Sequence, residues 1–129
     1  MAVHHDPRLA EIGVGAWEGL RRQDLPISMP LDESEESALD LYERAPGGEG
    51  FQALHSRCRA LLADLPAPAV LITHGITSRM LRVIACDLDI ADIGQVGGGQ
   101  GIVYSVKNQQ SRCLCLGKPD DRGDAERME

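Results

Sequence analysis

Apolar positions recur every three to four residues across 51–65. Phe51, Leu54, Cys58, Leu61, Leu62 and Leu65 share one face there, while Arg57, Arg59 and Asp64 fall elsewhere. This amphipathic pattern predicts a helix that ends before Pro66. After the breaker Pro66-Ala67-Pro68, residues 69–73 are all apolar or β-branched, which predicts a short strand buried on both faces, as inside a parallel sheet. Helical spacing resumes at once over 76–88, with Ile76, Met80, Ile84 and Leu88 four residues apart and Leu81 and Ala85 beside them. Helix, strand and helix in that order predict an α/β layered domain with 69–73 as its central strand.

The rest of the chain is patterned more weakly. Residues 33–44 predict a helix capped by Asp32 or Ser34, with Ala38, Leu41, Tyr42 and Ala45 as a narrow apolar stripe and Pro46-Gly47-Gly48 as its stop. Residues 24–32, with two prolines, predict an irregular connection, and 89–94 a loop or one short helical turn. Strand-like runs at 102–107 and 112–116 surround Asn108-Gln109-Gln110-Ser111, so a hairpin should extend the sheet on one side. The glycines of 97–101 read as a flexible connection; a strand follows them rather than a helix, so they are not a phosphate loop.

Composition narrows the function classes. The chain has 129 residues, 43% hydrophobic, enough for one domain over 1–116, and its last residues, 117–129, form a polar tail expected to stay disordered. Trp17, Tyr42, Phe51 and Tyr104 are the only aromatics, so the core must be aliphatic. A net charge of −7 leaves no basic footprint for nucleic acid. No apolar run reaches the ~20 residues of a membrane span, and no signal-peptide core is visible. Cys58, Cys86, Cys113 and Cys115 are neither dense nor spaced as metal pairs, and read as reduced thiols of a cytoplasmic protein.

Candidate chemistry centres on His74. It sits at the carboxyl end of the expected strand, one residue before a helix that starts at Gly75 or Ile76, where free N–H groups favour a phosphate. The plainer alternative is a strand-to-helix turn whose polar residues cap the helix. Residues 9–20 hold Gly13, Gly15 and Gly19 and predict a loop with Glu11, Trp17 and Glu18. Such loops often carry function; the plainer alternative is a solvated turn with Trp17 plugging the core edge, and Glu18 fits that alternative better. Arg57 and Arg59 read as structural, Arg79 and Arg82 as surface charges or structural pairs, and His55 as a packing or capping residue. No histidine or acid shows metal-ligand spacing, so no metal or cofactor is expected.

Three motifs carry a resemblance: Leu9-x-Glu11-x-x-x-Gly15-x-Trp17-Glu18-Gly19, then Gly47-Gly48-Glu49 ahead of an Arg-bearing helix, then Val70-Leu71-Ile72-Thr73-His74-Gly75. In order and approximate spacing they resemble the histidine phosphatase superfamily, which includes phosphoglycerate mutases and broad-specificity phosphatases. The similarity covers about 6–106, the carboxyl-terminal two-thirds of such a domain. Gly50 stands where a serine is usual and Ile76 where a second glycine is common.

The resemblance implies a three-layer phosphoglycerate mutase-like α/β domain, amino-terminally truncated, with a C-terminal β-hairpin. It implies catalytic roles for Glu11, as acid and then base, and for His74, as donor to the transferring phosphoryl group, with His74 and Gly75 binding the phosphate. The family's nucleophile lies in an Arg-His-Gly segment that these residues do not contain; His4 and His5, in a polar stretch, do not match it. Two readings follow. One is a phosphomonoester hydrolase of small phosphorylated metabolites, acting through a phosphohistidine in the complete domain and inactive as this chain alone. The other is a non-catalytic anion- or partner-binding module. The absent first strand should also leave an apolar sheet edge open to self-association.

Overall fold

A computed structural model describes residues 2–25 and 35–114. It holds three α-helices, α1 (Glu35–Arg44), α2 (Gly50–Asp64) and α3 (Gly75–Ala85), then a hairpin of β1 (Val103–Lys107) and β2 (Gln110–Leu114). Short 3-10 turns occupy Pro7–Leu9, Gly15–Trp17, Arg22–Asp24 and Ile90–Gln95, the last of them where a loop or single turn was expected. The 33–44 helix is observed from Glu35; its expected caps, most of the 24–32 connection, Cys115 and the 117–129 tail lie outside the described residues.

The core forms where α2 crosses α3. Leu54 and Cys58 of α2 and Met80 and Val83 of α3 are fully buried, joined by Phe51, Leu61, Ile76 and Leu81. Leu39 of α1, Ile12 from the first loop and Ile93 close the cluster. Burying one such side chain contributes about 1.5–3 kcal/mol, so this contact dominates the fold. A second, smaller cluster packs Trp17 against Leu41 and Ala45, beside the main core, as the plainer reading of that loop had it. α2 begins under Glu43 of α1, whose carboxylate accepts from the Phe51 N–H at 3.3 Å.

α3 stops three residues earlier than its apolar spacing suggests. Asp87 takes a left-handed conformation (φ 58°), its N–H donates to the Ile84 carbonyl, and the Leu88 N–H donates to Val83 at 2.8 Å. That paired closure is a Schellman turn, and it peels Leu88 off the helix.

The expectation for residues 69–73 requires correction. They are not paired as a strand, and the described sheet is two-stranded, β1 with β2, in antiparallel register from Val103 opposite Leu114 to Lys107 opposite Gln110. Leu71 packs against the core, but Val70 is 80% and Ile72 86% exposed. The segment is apolar on both faces yet covered on one. A buried parallel strand needs neighbouring strands, and the hairpin docks elsewhere. Asn108 and Gln109, both at positive φ, make the two-residue turn that twist-matched hairpins favour. The architecture is thus mixed helix with a small two-stranded sheet, compatible with an α/β fold of the expected kind.

Of the two readings of Arg79 and Arg82, surface charges or structural residues, the first is overturned: they are 6% and 5% exposed and hold structural contacts. Arg79 donates to the Val96 carbonyl and Arg82 to the Gly97 carbonyl, and the Arg82 guanidinium stacks 3.8 Å from the Tyr104 ring centre of β1. Burial pulls both guanidinium pKa values down from their ordinary level. These two arginines tie α3 to 96–98 and to the hairpin. Gly97 and Gly98, expected in a flexible connection, are buried beneath them. A Cβ on Gly98 would lie 2.6 Å from Arg79 Nη2, so glycine is what lets the arginine reach across.

Candidate active site at the start of the third helix

The Glu11 carboxylate sits on the amino end of α3. Its Oε2 accepts from the Ile76 N–H at 3.1 Å, and its Oε1 from the Thr77 N–H at 3.0 Å. Oε1 also accepts from the Ile12 N–H at 2.9 Å and lies 3.1 Å from the Thr77 hydroxyl. Thr77 is fully buried, and its hydroxyl donates to the Ala10 carbonyl at 2.7 Å. Opposite charge at a helix amino end is stabilising, and here the chain supplies its own anion. The N–H groups of Ile76 and Thr77, expected to be open to a phosphate, are therefore already engaged.

Position for Glu11 comes from the glycine-rich loop and the glycine-glutamate motif, which interlock. The Glu49 N–H donates to the Gly13 carbonyl at 2.9 Å, the Gly13 N–H to Glu49 Oε1 at 3.2 Å, and the Ala16 N–H to Pro46 at 2.9 Å. At Gly15 (φ +50°) a Cβ would fall 2.4 Å from the Gly47 carbonyl carbon and the Pro46 oxygen. Only glycine permits that approach.

Arg57 of α2 fastens the assembly. Its Nε meets Glu49 Oε2 and its Nη2 meets Glu49 Oε1, both at 2.8 Å. Nη1 donates to the carbonyls of Arg8 at 2.7 Å and Ala10 at 2.9 Å, and Nη2 to Glu11 at 3.4 Å. The guanidinium, helped by the Gly13 N–H, holds the Glu49 carboxyl below its ordinary range although burial opposes it. Arg57 was expected to be structural, and so it is; what it structures is the backbone that carries Glu11.

His74 caps α3 with extended backbone (φ −115°, ψ 170°), and its carbonyl accepts from the Ser78 N–H at 2.8 Å. Its exposed side chain lines an open groove of about 550 Å³, together with Leu9, Ile72, His4, His5 and Asp6. Asp6, held at a pKa of about 2 by its hydrogen bonds with Arg8, anchors the arm bearing His4 and His5, and Arg8 reaches on to Asp64 of α2 at 2.7 Å. Gly75 lies beside the carboxylate, 3.9 Å from Glu11 Oε2 to the position a Cβ would take. The fold thus brings Glu11 to the helix that His74 and Gly75 begin, and sets His4 and His5 on the groove His74 lines.

Some of this had no sequence signal. Nothing in a polar amino-terminal stretch indicated that His4 and His5 would share a groove with His74. Thr77 could have been noticed as a hydroxyl in the first turn of the helix, where it meets both a carbonyl and a carboxylate. His55 is half-buried on α2, away from Glu11's contacts, and Glu18 is exposed, accepting from the Val14 N–H at 3.1 Å. Among the described residues no three His, Cys, Asp or Glu side chains are grouped to hold a metal ion, and no helix is long and apolar enough to cross a membrane.

Comparison with curated proteins found no match, and neither did comparison with solved structures. The family model for the histidine phosphatase superfamily (branch 1) matches residues 1–119, nearly the whole chain. Motifs that resemble that family one by one are here joined in space, the glycine-rich loop locked to the glycine-glutamate turn and Glu11 seated on the helix after His74. The chain belongs to the histidine phosphatase superfamily, branch 1.

Proposed function

We propose that this chain carries two of the reacting groups of a phosphomonoester hydrolase, Glu11 and His74. The observation that supports it is the seat of the Glu11 carboxylate on the Ile76 and Thr77 N–H groups, one helical turn from His74. Two groups far apart in sequence are thereby brought to one helix start. In this reading Glu11 protonates the leaving alkoxide and then activates water. His74, with Gly75, donates to the transferring phosphoryl group and offsets its growing charge. The complete domain is a three-layer, phosphoglycerate mutase-like α/β fold that works in the cytoplasm on a small phosphorylated metabolite, through a phosphohistidine and without a cofactor.

The polypeptide of residues 1–129 does not turn over by itself in this reading. His74 cannot both attack phosphorus and stabilise the same transition state. His4 and His5 lie on an exposed arm rather than at a strand-to-helix turn. The competing reading, a non-catalytic module, draws on the same contact: Glu11 occupies N–H groups that a bound anion would otherwise use.

The test is hydrolysis of an aryl phosphate by the 129-residue chain and by a domain that also supplies the Arg-His-Gly segment. Background rates are expected from the first. In the second, Glu11→Gln or His74→Ala should each lower kcat by about 10²-fold or more. Rates within twofold of the parent in both variants would remove the catalytic assignment. Turnover by the short chain that disappears with His74→Ala would overturn its inactivity.

A further inference from the structure

We propose that Thr77 is a positioning residue for Glu11, and that it reserves Oε2, the carboxylate oxygen beside Gly75, to carry the transferred proton. This rests on the catalytic reading of Glu11 and adds which oxygen reacts and what holds the other still. The two oxygens are not equivalent. Oε1 accepts from the Ile12 N–H at 2.9 Å and the Thr77 N–H at 3.0 Å, and the Thr77 hydroxyl abuts it at 3.1 Å. Among the described residues Oε2 accepts from the Ile76 N–H alone, at 3.1 Å. A carboxylate offers about four lone-pair sites over its two oxygens, so the two N–H groups fill Oε1. A proton there would displace one of them. Ile12 and Thr77 are buried, so the displaced N–H would be left unsatisfied. Oε2 keeps a free lone pair, and the position a Gly75 Cβ would take lies 3.9 Å from it.

Thr77 reaches the carboxylate by two routes. Its hydroxyl donates to the Ala10 carbonyl at 2.7 Å, one residue before Glu11, while its own N–H holds Oε1. One buried side chain thus sets the backbone that carries the carboxylate and the rotation of the carboxylate about its last bond. With Oε1 held, Oε2 is turned toward Gly75, where the catalytic reading puts the phosphoryl group. In the first step the ester P–O bond breaks as the phosphoryl group passes to the family's histidine nucleophile. The Oε2–H bond breaks with it, leaving its electron pair on the carboxylate and its proton on the alkoxide oxygen. In the second step water gives a proton to Oε2 while its oxygen bonds to phosphorus, and the P–N bond returns its pair to the histidine. Misplacing a reacting group by about 1 Å can cost on the order of 10²-fold, so the hold on Oε1 matters to the rate.

Two leaving groups test it, in the domain that also supplies the Arg-His-Gly segment. An alkoxide needs a proton as it departs, whereas a nitrophenolate does not. Thr77→Val keeps the shape and removes the hydroxyl; the Ala10 carbonyl still accepts from Arg57 Nη1 at 2.9 Å, so far-UV circular dichroism should stay unchanged. The variant should lower kcat/KM about tenfold or more for an alkyl phosphate and less than about threefold for nitrophenyl phosphate. Thr77→Ala should show the same split, and Thr77→Ser should restore the alkyl rate. Equal loss on both esters, or no rescue by serine, overturns the role of Thr77. Glu11→Gln is the reference: a selective alkyl loss there that is missing in Thr77→Val overturns this inference, whereas equal losses in Glu11→Gln overturn the catalytic reading beneath it. The proton itself is read in the 129-residue chain, from an atomic-resolution crystal structure in acid. The Cδ–Oε2 bond of Glu11 should be the longer of the two, and the reverse order overturns the assignment to Oε2.

Discussion

Arg57 and Glu49 meet through two parallel contacts of 2.8 Å, and the same guanidinium holds the loop backbone through the carbonyls of Arg8, Ala10 and Glu11. Both side chains are about one-fifth exposed. One planar cation therefore links α2, the glycine-glutamate turn and the loop that aims Glu11 at α3. Its geometry sets the site more than its charge does.

Arg57→Lys should show this. A lysine keeps the charge but has neither the fork nor the reach for five acceptors. Loss of about 1–3 kcal/mol is expected, read from the urea midpoint, because several part-buried carbonyls lose their donor. Retention of the parent midpoint would mean that charge alone suffices.

Glu11→Ala should destabilise α3 by about 1–2 kcal/mol, the usual scale for losing a side chain that caps a helix start. Glu11→Gln should cost less, because an amide oxygen can still accept from the Ile76 and Thr77 N–H groups. Amide hydrogen exchange over the first turn of α3 is the direct measurement; it should quicken in the alanine variant.

Gly15→Ala should be the most damaging small substitution in the loop. The added Cβ would meet backbone atoms at 2.4 Å, and the residue sits at φ +50°. Backbone cannot rotate away as a side-chain tip can, so a loss of about 2 kcal/mol or more is expected. Trp17, the chain's single tryptophan, reports it: its emission should shift red as the loop parts from 46–49.

Stability should fall in acid partly through Glu49. Its folded pKa lies below the ordinary 4.5, chiefly because Arg57 hydrogen-bonds the charged form. A depressed carboxyl contributes stability that is complete above its unfolded value and is lost as pH falls through the folded one. Urea midpoints should thus hold near neutrality and decline below about pH 4.5. Glu49→Gln should flatten part of that decline; an unchanged slope would exclude Glu49 as a contributor.

Local order explains what was legible in the chain. The 51–65 helix was readable because its apolar spacing and the Pro66 stop act within a few residues. The hairpin was readable because its strands lie close in sequence and pair with each other, although its turn is the two residues Asn108 and Gln109 rather than 108–111 and it forms a sheet of its own instead of extending one. The three motifs marked the family because each fills one demand: a tight approach at Gly15, a carboxylate at Glu49, a helix start after His74.

What tertiary structure decided were matters of partnership between distant residues. Residues 69–73 carry the composition of an interior strand, but composition does not supply neighbours, and Val70 and Ile72 face outward. Arg79 and Arg82 carry the charge of surface residues, but the carbonyls of Val96 and Gly97 and the ring of Tyr104 allow their burial. Glu11 could be named as a candidate from its motif; that its carboxylate would take the N–H groups of Ile76 and Thr77 could not. Periodicity and turn chemistry act over a few residues, whereas hydrogen-bond satisfaction is settled across the whole fold, by whichever donor or acceptor arrives from elsewhere in the chain.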